Sequence, residues 1–411
     1  MSPSGAALQQ DFLDVSTIMQ ITSCNYHFSW SYSHMTDRFH IASQIRAALR
    51  RMSFTRAWLS VAAAAVTVAC LTSNAQGQCA GDRNGDHQVN GMDLAVLLTQ
   101  WGTNGTADID NSGVVNGADL ALLLGQWGMC SNGNLTNTTL SITQTWAQQP
   151  TGFVRTAAVL VPAGTGPFPV VIMLHGNGGN SSFINSMGTT LNSAIRVAPN
   201  GYLTSWNVDS EVSKAPDVAF IRDLIALLKT YDNVDAGRIS IYGSSNGAGM
   251  TNRLLIELDG TTFQRAACRV SQMITKMHHD GSFWFNASGN NTYDEQITPA
   301  NARRIISISG TADPIVPYTG GSGVGTTFMH CQESIYRFAQ AMGETGPQLT
   351  DAAGVPGNGA NGYSAPFVKY SYRNGQVVHY KLVGGNHGLV VNGSNAYATE
   401  ANQLIASFLL Q

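Results

Sequence analysis

Charge is what this chain has least of. Of 411 residues, 22 are Lys or Arg and 25 are Asp or Glu, so charged residues make up 11%, against about 25% in ordinary soluble domains. The net charge is −3. With no basic excess to neutralise phosphates, a dedicated nucleic-acid binder is excluded as a first reading. No apolar run reaches the roughly 20 residues needed to span a bilayer. Cysteine is sparse, at six. Small polar residues and 43 glycines take the place of the missing charge, a composition that suits an exported protein with many turns. Hydrophobic residues still make up 43%, enough for a sizeable core, so wholesale disorder is excluded as well. At about 150 residues per domain the chain should hold two to three domains.

Arg50, Arg51 and Arg56 precede an apolar run over 58–71, followed by Ser73-Asn74-Ala75. A positive stretch, a short apolar run and small residues at −3 and −1 read as a secretory signal peptide over 52–75, cut after Ala75. Arg at one end and the small-residue site at the other distinguish it from a buried helix. Thr67-Val68-Ala69 before Cys70 is a poor lipid-attachment signal. Residues 1–51 lie upstream of a leader that begins at Met52, which points to a misassigned start codon. The mature protein is therefore expected outside the cell. It would keep Cys79, Cys130, Cys268 and Cys331. An even number in an oxidising compartment favours disulfides. Three pairings are open, and the organisation of the chain favours Cys79–Cys130 and Cys268–Cys331.

A segment over 82–93 recurs at 108–119, an offset of 26 residues. Each copy is followed by a Leu-rich helical stretch, one ending Gln100-Trp101-Gly102 and the other Gln126-Trp127-Gly128. In the first, Asp82, Asn84, Asp86, Asn90 and Asp93 occupy positions 1, 3, 5, 9 and 12, and Gln88 at position 7 offers its carbonyl. In the second the same places are held by Asp108, Asp110, Ser112, Asn116 and Asp119, with Val114 at position 7. Calcium takes six to eight oxygens in a flexible cage, and this spacing wraps them around one ion. Two calcium ions are expected. The sharp turn at position 6 favours Gly, present as Gly113 and replaced by His87 in the first copy.

From 140 to 411 the pattern changes to strands alternating with helices, predicting an α/β fold with a mostly parallel sheet. Strands are predicted at 157–161, 170–174, 239–242, 269–274, 305–309 and 377–382. Asp217 is expected to cap a helix bearing Val218, Ile221, Leu224, Ile225 and Leu228 on its apolar face. A polar stretch over 131–139 reads as a linker.

Gly243-Ser244-Ser245-Asn246-Gly247 follows an apolar strand and precedes a helix at 250–258. That is the context of a nucleophile elbow, where a strained strand-to-helix turn exposes the serine. A serine hydroxyl needs a base, an orienting acid and an oxyanion site. Asp313 lies just past the strand at 305–309, and His387 just past the strand at 377–382, in the order Ser, acid, His. His175-Gly176-Asn177-Gly178-Gly179 follows another strand and can aim a backbone N–H at a developing oxyanion. The hole is assigned to the N–H groups of Asn177 and Asn246. His379 lies inside a strand and reads as a satisfied structural side chain. Phe283, Trp284 and Phe285 read as core in preference to a substrate wall.

The duplicated loops over 79–130 resemble a type I dockerin, the small all-α, EF-hand-like calcium module that plugs into cohesin domains. The resemblance implies a cohesin partner and makes Cys79 and Cys130 a clamp on the module's ends. The pair before the last ligand often reads the cohesin; here it is Gly91-Met92 and Gly117-Ala118. The stretches 170–179, 205–207, 217–221, 243–247 and 310–318 resemble the α/β-hydrolase esterases grouped with polyhydroxybutyrate depolymerases, feruloyl esterases and acetylxylan esterases. That resemblance covers nearly all of 150–411 and maps the family's triad onto Ser245, Asp313 and His387. It departs at Ala248, where a second Gly is common, and at Gly388-Leu389, where an aromatic is common. The implied activity is serine carboxylic-ester hydrolysis without a catalytic cofactor. Feruloyl or acetyl esters of plant cell-wall polysaccharide are the first substrates to consider, and a polyester the next. A non-catalytic cohesin-binding or adhesion protein is the reading from another class.

Overall fold

The computed structural model describes residues 79–84 and 88–411. The extension expected over 1–51, the leader expected over 52–75 and the candidate ligand Asp86 lie outside the described residues. Two bodies are present: Asn90–Gly125, and a larger one that includes Gln126–Gln411.

The smaller body carries two helices, α1 (Gly91–Thr99) and α2 (Gly117–Gly125). Asn90 Oδ1 accepts from the Met92 N–H at 2.7 Å, and Asp93 Oδ2 accepts from the Asn90 N–H at 2.8 Å. Asn116 and Asp119 do the same for α2, each at 2.7 Å. Position 12 of each repeat thus satisfies an N–H that a helix start leaves open. The apolar core here is thin: Leu94, Leu97, Ala107, Val115 and Leu123.

The larger body is built on a ten-stranded sheet. Its strands are β1 (Thr138–Trp146), β2 (Gln149–Leu160), β3 (Phe168–Leu174), β4 (Ile195–Pro199), β5 (Val234–Ser244), β6 (Arg265–Arg269), β7 (Arg304–Gly310), β8 (Val355–Pro356), β9 (Phe367–Tyr372) and β10 (Val377–Leu382). They lie in the order β8-β9-β10-β7-β6-β5-β3-β4-β2-β1. The six from β10 to β4 are parallel, and the edges are antiparallel. Central strands buried on both faces read as unbroken apolar runs, as in the Val-Val-Ile-Met-Leu of β3. Val170, Ile172 and Leu174 enter one core; Val171 and Met173 enter the other. The first core takes helices α3 (Asp217–Leu228), α4 (Asn246–Glu257) and α5 (Cys331–Ala341). The second takes α6 (Ala396–Leu409). Phe283 is buried in the first core, with Trp284 and Phe285 packed against it.

Several expectations need correction. The strand predicted at 269–274 ends at Arg269; Val270 takes φ +55 and turns the chain away. Val270, Met273 and Ile274 are buried in the loop that follows, and that mimics the apolar run of a strand. Asp217 caps no helix. It is the first residue of α3 and pairs with Arg155 at 2.6 Å, both side chains fully buried. The polar stretch 131–139 is no free linker: Leu135 is buried, its N–H donating to Asn233 Oδ1 at 2.8 Å, and Thr138 already opens β1. Cys79 and Cys130 are bonded, but Cys268 and Cys331 are free, buried thiols. Cys268 Sγ donates to Asn252 Oδ1 at 3.4 Å and Cys331 Sγ to Gln272 Oε1 at 3.2 Å. Burial pushes both thiols up, to about 12, so neither is a ready thiolate.

Candidate active site

Parallel strands carry their carboxyl ends to one edge of the sheet, where ligands of such folds bind. β3 ends at Leu174, β5 at Ser244, β7 at Gly310 and β10 at Leu382. The residues just beyond these ends are His175–Asn177, Ser245, Asp313 and His387, and the sheet brings them together. His387 Nε2 lies 2.9 Å from Ser245 Oγ, and His387 Nδ1 lies 2.7 Å from Asp313 Oδ2.

The turn at Ser245 is strained, with φ +55 and ψ −122, a region that L residues rarely occupy. The two flanking glycines make it possible. A Cβ on Gly243 would drive into the Gly247 carbonyl, and one on Gly247 into the Leu174 carbonyl. The Ser245 N–H donates to Arg269 O at 3.0 Å, tying the turn to β6.

Asp313 is held by its own loop. Its Oδ1 accepts from the N–H groups of Ile315 and Val316 at 2.8 and 3.0 Å. The carboxylate, an acceptor on every side, fixes the His387 proton on Nδ1. Nε2 is then left as the acceptor facing the serine hydroxyl. The acid and histidine loops are joined to each other: the Ala312 N–H donates to Gly385 O at 2.9 Å and the Gly384 N–H to Thr311 Oγ1 at 2.8 Å.

Asn177 and Asn246 both line a cleft of about 700 Å³ together with Ser245 and His387. Asn246 is the first residue of α4, so its N–H has no partner in the preceding turn. The Asn246 side chain is locked. Its Oδ1 accepts from the Trp206 N–H at 2.8 Å, and its Nδ2 donates to Glu211 Oε1 at 2.7 Å. The Asn177 loop is shaped by His175, which is buried and held neutral, its pKa lowered chiefly by desolvation. His175 Nδ1 donates to Gly176 O at 2.7 Å, and Nε2 accepts from the Gly201 N–H at 3.0 Å. Gly176 passes so close to the serine that a Cβ there would stand 3.3 Å from Ser245 Cβ.

Sequence reading missed the network that fixes the cleft wall at 206–211. Asp217 Oδ2 accepts from the Asn207 N–H at 2.7 Å, and Arg253 donates to Asn207 O. Glu211 Oε2 accepts from the Val208 and Asp209 N–H groups at 3.0 and 2.6 Å. The only local signals were Ser205-Trp206-Asn207, quoted for a resemblance without a role, and Asp217, expected only as a helix cap. Glu211 and Arg253 carried none: Asn246 and Asn207, the partners that tie them into the cleft wall, lie 35 and 46 residues away. His379, expected as a half-buried structural histidine, is fully buried; Ser307 Oγ lies 2.7 Å from Nδ1 and Tyr318 OH 2.9 Å from Nε2.

The candidate calcium ligands of the second repeat lie in the smaller body. Carboxylate oxygens of Asp108, Asp110 and Asp119 come within 4.8 Å of one another, the one such cluster of three or more metal-binding side chains among the described residues. Gly113 at φ +91 makes the tight turn, and the Ser112 and Gly113 N–H groups donate to Asp108 at 3.0 and 2.7 Å. Three converging carboxylates fit a hard divalent cation. Asn116 Oδ1 is engaged in the helix cap, and the Val114 carbonyl already accepts from Asn116 Nδ2 at 2.9 Å.

No known family model matches the chain. Feruloyl esterase B of Piromyces equi is 27% identical over 164 residues, which are 39% of this chain and 27% of that protein. The match thus spans about a quarter of the curated relative's length. Among solved structures, an acetyl xylan esterase from Aspergillus awamori aligns with a TM-score of 0.41 at 14% identity, over 64% of this chain and 99% of that one. A thermostable esterase aligns with a TM-score of 0.38 at 18% identity, over 66% of this chain and 62% of that one. A poly(3-hydroxybutyrate) depolymerase from Bordetella parapertussis aligns at 0.39 and 15%, over 66% and 89%.

Proposed function

We propose that the chain is a serine carboxylic-ester hydrolase acting on polymer-linked esters, feruloyl or acetyl groups of plant cell-wall polysaccharide. The observation that carries this reading is His387 lying 2.9 Å from Ser245 Oγ and 2.7 Å from Asp313 Oδ2. Similarity to a feruloyl esterase over 164 residues supports the substrate class. Ser245 Oγ attacks the ester carbonyl as His387 Nε2 takes its proton. The N–H groups of Asn177 and Asn246 hold the oxyanion. His387 then gives the proton to the leaving alcohol, and water activated by the same imidazole cleaves the acyl-enzyme. Asp313 keeps the imidazole oriented and stabilises its cation.

The reading extends to residues 79–130, as a dockerin-type module that holds two calcium ions, docks to a cohesin-type domain and tethers a secreted enzyme to its substrate. The Asp108, Asp110 and Asp119 cluster supports it. Tethering raises the local concentration of enzyme on an insoluble polymer.

The test is product release from feruloylated xylan, acetylated xylan and polyhydroxybutyrate by the wild type and by Ser245→Ala. Release from a xylan that the variant cannot achieve is expected. Release from polyhydroxybutyrate alone would move the substrate to a polyester. No release from any polymer, with both proteins alike, would leave a binding protein.

A further inference from the structure

Ester hydrolysis does not by itself say which half of the ester the cleft grips. Four large apolar side chains on its lining stand in solvent: Leu203, Val212, Ile315 and Val324, exposed by 54, 76, 41 and 64%. Ile274 and Phe328 line it deeper and are buried. A ring of exposed aliphatics around one concavity is the mark of a binding site.

Backbone strain singles out two of the four. Leu203 sits at φ +52 and Val324 at φ +42. A β-branched residue at positive φ is an outlier, and glycine would fill the position without strain. Val324 stands in a glycine-rich turn between the strands Gly321–Gly323 and Thr326–Phe328. Its side chain, mostly in solvent, adds little to a core that could offset the strain. Strain of this kind persists where the surroundings impose it, and it gathers at ligand clamps. The surroundings here are well tied: Ser210 Oγ donates to Val324 O at 3.3 Å, and Thr326 Oγ1 to Asp209 Oδ2 at 2.5 Å.

The charged groups of the cleft are already engaged. Asp209 pairs with Lys276 at 2.6 Å, and Glu211 is taken up by backbone N–H groups and Asn246. Neutral polar groups of Asn177, Ser210 and Thr326 also line the cleft, but the large side chains it exposes to solvent are aliphatic. Placing sugar hydroxyls against those aliphatics would strip their water without replacement. An acetyl group would leave most of a cleft of about 700 Å³ unfilled, a volume suited to much larger ligands.

We propose that the cleft holds the acyl half of the ester, that this half is bulky and apolar, and that Val324 and Leu203 determine the preference. The proposal rests on the ester-hydrolase reading above and narrows it, favouring an aromatic or longer acyl group over acetyl.

Two isomeric esters separate the halves: ethyl octanoate carries its bulk on the acyl side, octyl acetate on the alcohol side. Ethyl acetate is the small reference. The wild type should prefer ethyl octanoate over octyl acetate by about tenfold or more in kcat/KM. Val324→Gly should lose about three- to tenfold more on ethyl octanoate than on ethyl acetate. Its melting temperature should match or exceed the wild type's, because glycine relieves the positive φ. Leu203→Asn, a residue that tolerates the same backbone region, should act in the same direction. Preference for octyl acetate, equal losses on all three esters, or a less stable Val324→Gly would overturn the assignment while leaving the hydrolase reading intact. Failure of the wild type on every ester, with Ser245→Ala indistinguishable from it, would overturn both.

Discussion

The two bodies compensate their buried carboxylates in opposite ways. Residues 90–125 include four aspartates and no Lys, Arg or His. Asp93 and Asp119 are fully buried, and Asp119 faces two further carboxylates. In the larger body, buried carboxylates meet guanidinium groups: Asp217 with Arg155, Glu257 with Arg253. Asp313 is the exception, being buried against an imidazole that is itself one-fifth exposed. The difference shows where charge neutralisation comes from. In the larger body the chain supplies it. In the smaller body, among the described residues, backbone N–H groups and the Ser112 hydroxyl face the cluster, and the proposed calcium would supply the cation. Asp313 is compensated by the one partner that can change its charge within a reaction.

The largest effect should come from breaking the exceptional pair. Asp313→Asn keeps the shape and removes the charge, and kcat should fall about 10⁴-fold with little change in melting temperature. A loss under tenfold would place Asp313 among the structural carboxylates. Next in size is Asp217→Ala, which leaves Arg155 buried and uncompensated and frees the Asn207 N–H. Urea unfolding should report a loss of about 3–5 kcal/mol.

The smaller body should answer to metal instead. A chelator, or Asp119→Ala, should lower the melting of 90–125 while the transition of the larger body stays in place. A calorimetric trace that chelation leaves unchanged would remove the external cation from the account. Stabilisation by a bound ion grows with the logarithm of its concentration, reaching about 2.7 kcal/mol at a hundred times Kd.

The smallest effect concerns pH. Burial pushes His379 down from 6.5 to about 3, with no carboxylate among its hydrogen-bond partners. Below about pH 6.5 the unfolded chain takes up a proton at this position that the folded chain refuses. Its contribution to stability is therefore intact above that pH and declines as pH falls toward 3. His379→Gln should flatten the fall of melting temperature between pH 7 and 4.5; an unchanged slope would assign the acid sensitivity elsewhere.

What could be read ahead of the structure follows from how far each signal travels along the chain. Strands buried on both faces are unbroken apolar runs, so β3, β5, β7 and β10 were legible. The serine, acid and histidine could be named because each follows such a strand within a few residues. The Val270–Ile274 loop was misread because buried apolar residues in a loop carry the same signal as a strand. Asp217 was taken for a cap because an acid at a helix start does either job, and Arg155, its partner, lies 62 residues away. The expected bridge between Cys268 and Cys331 rested on cysteine parity and chain organisation, and neither carries a signal of the Asn252 and Gln272 acceptors that the two free thiols meet. Glu211 and the strained Val324 sit in loops whose importance arises only once the chain is folded.

The proposed ester hydrolysis depends above all on Ser245 as a nucleophile poised by His387. The most direct measurement is labelling with a fluorophosphonate, followed by intact mass and peptide mapping. One adduct per chain on Ser245, absent from Ser245→Ala and slowed on the order of 10⁴-fold in His387→Ala, is the predicted result. No adduct on Ser245, together with ester cleavage that persists in Ser245→Ala, would contradict it.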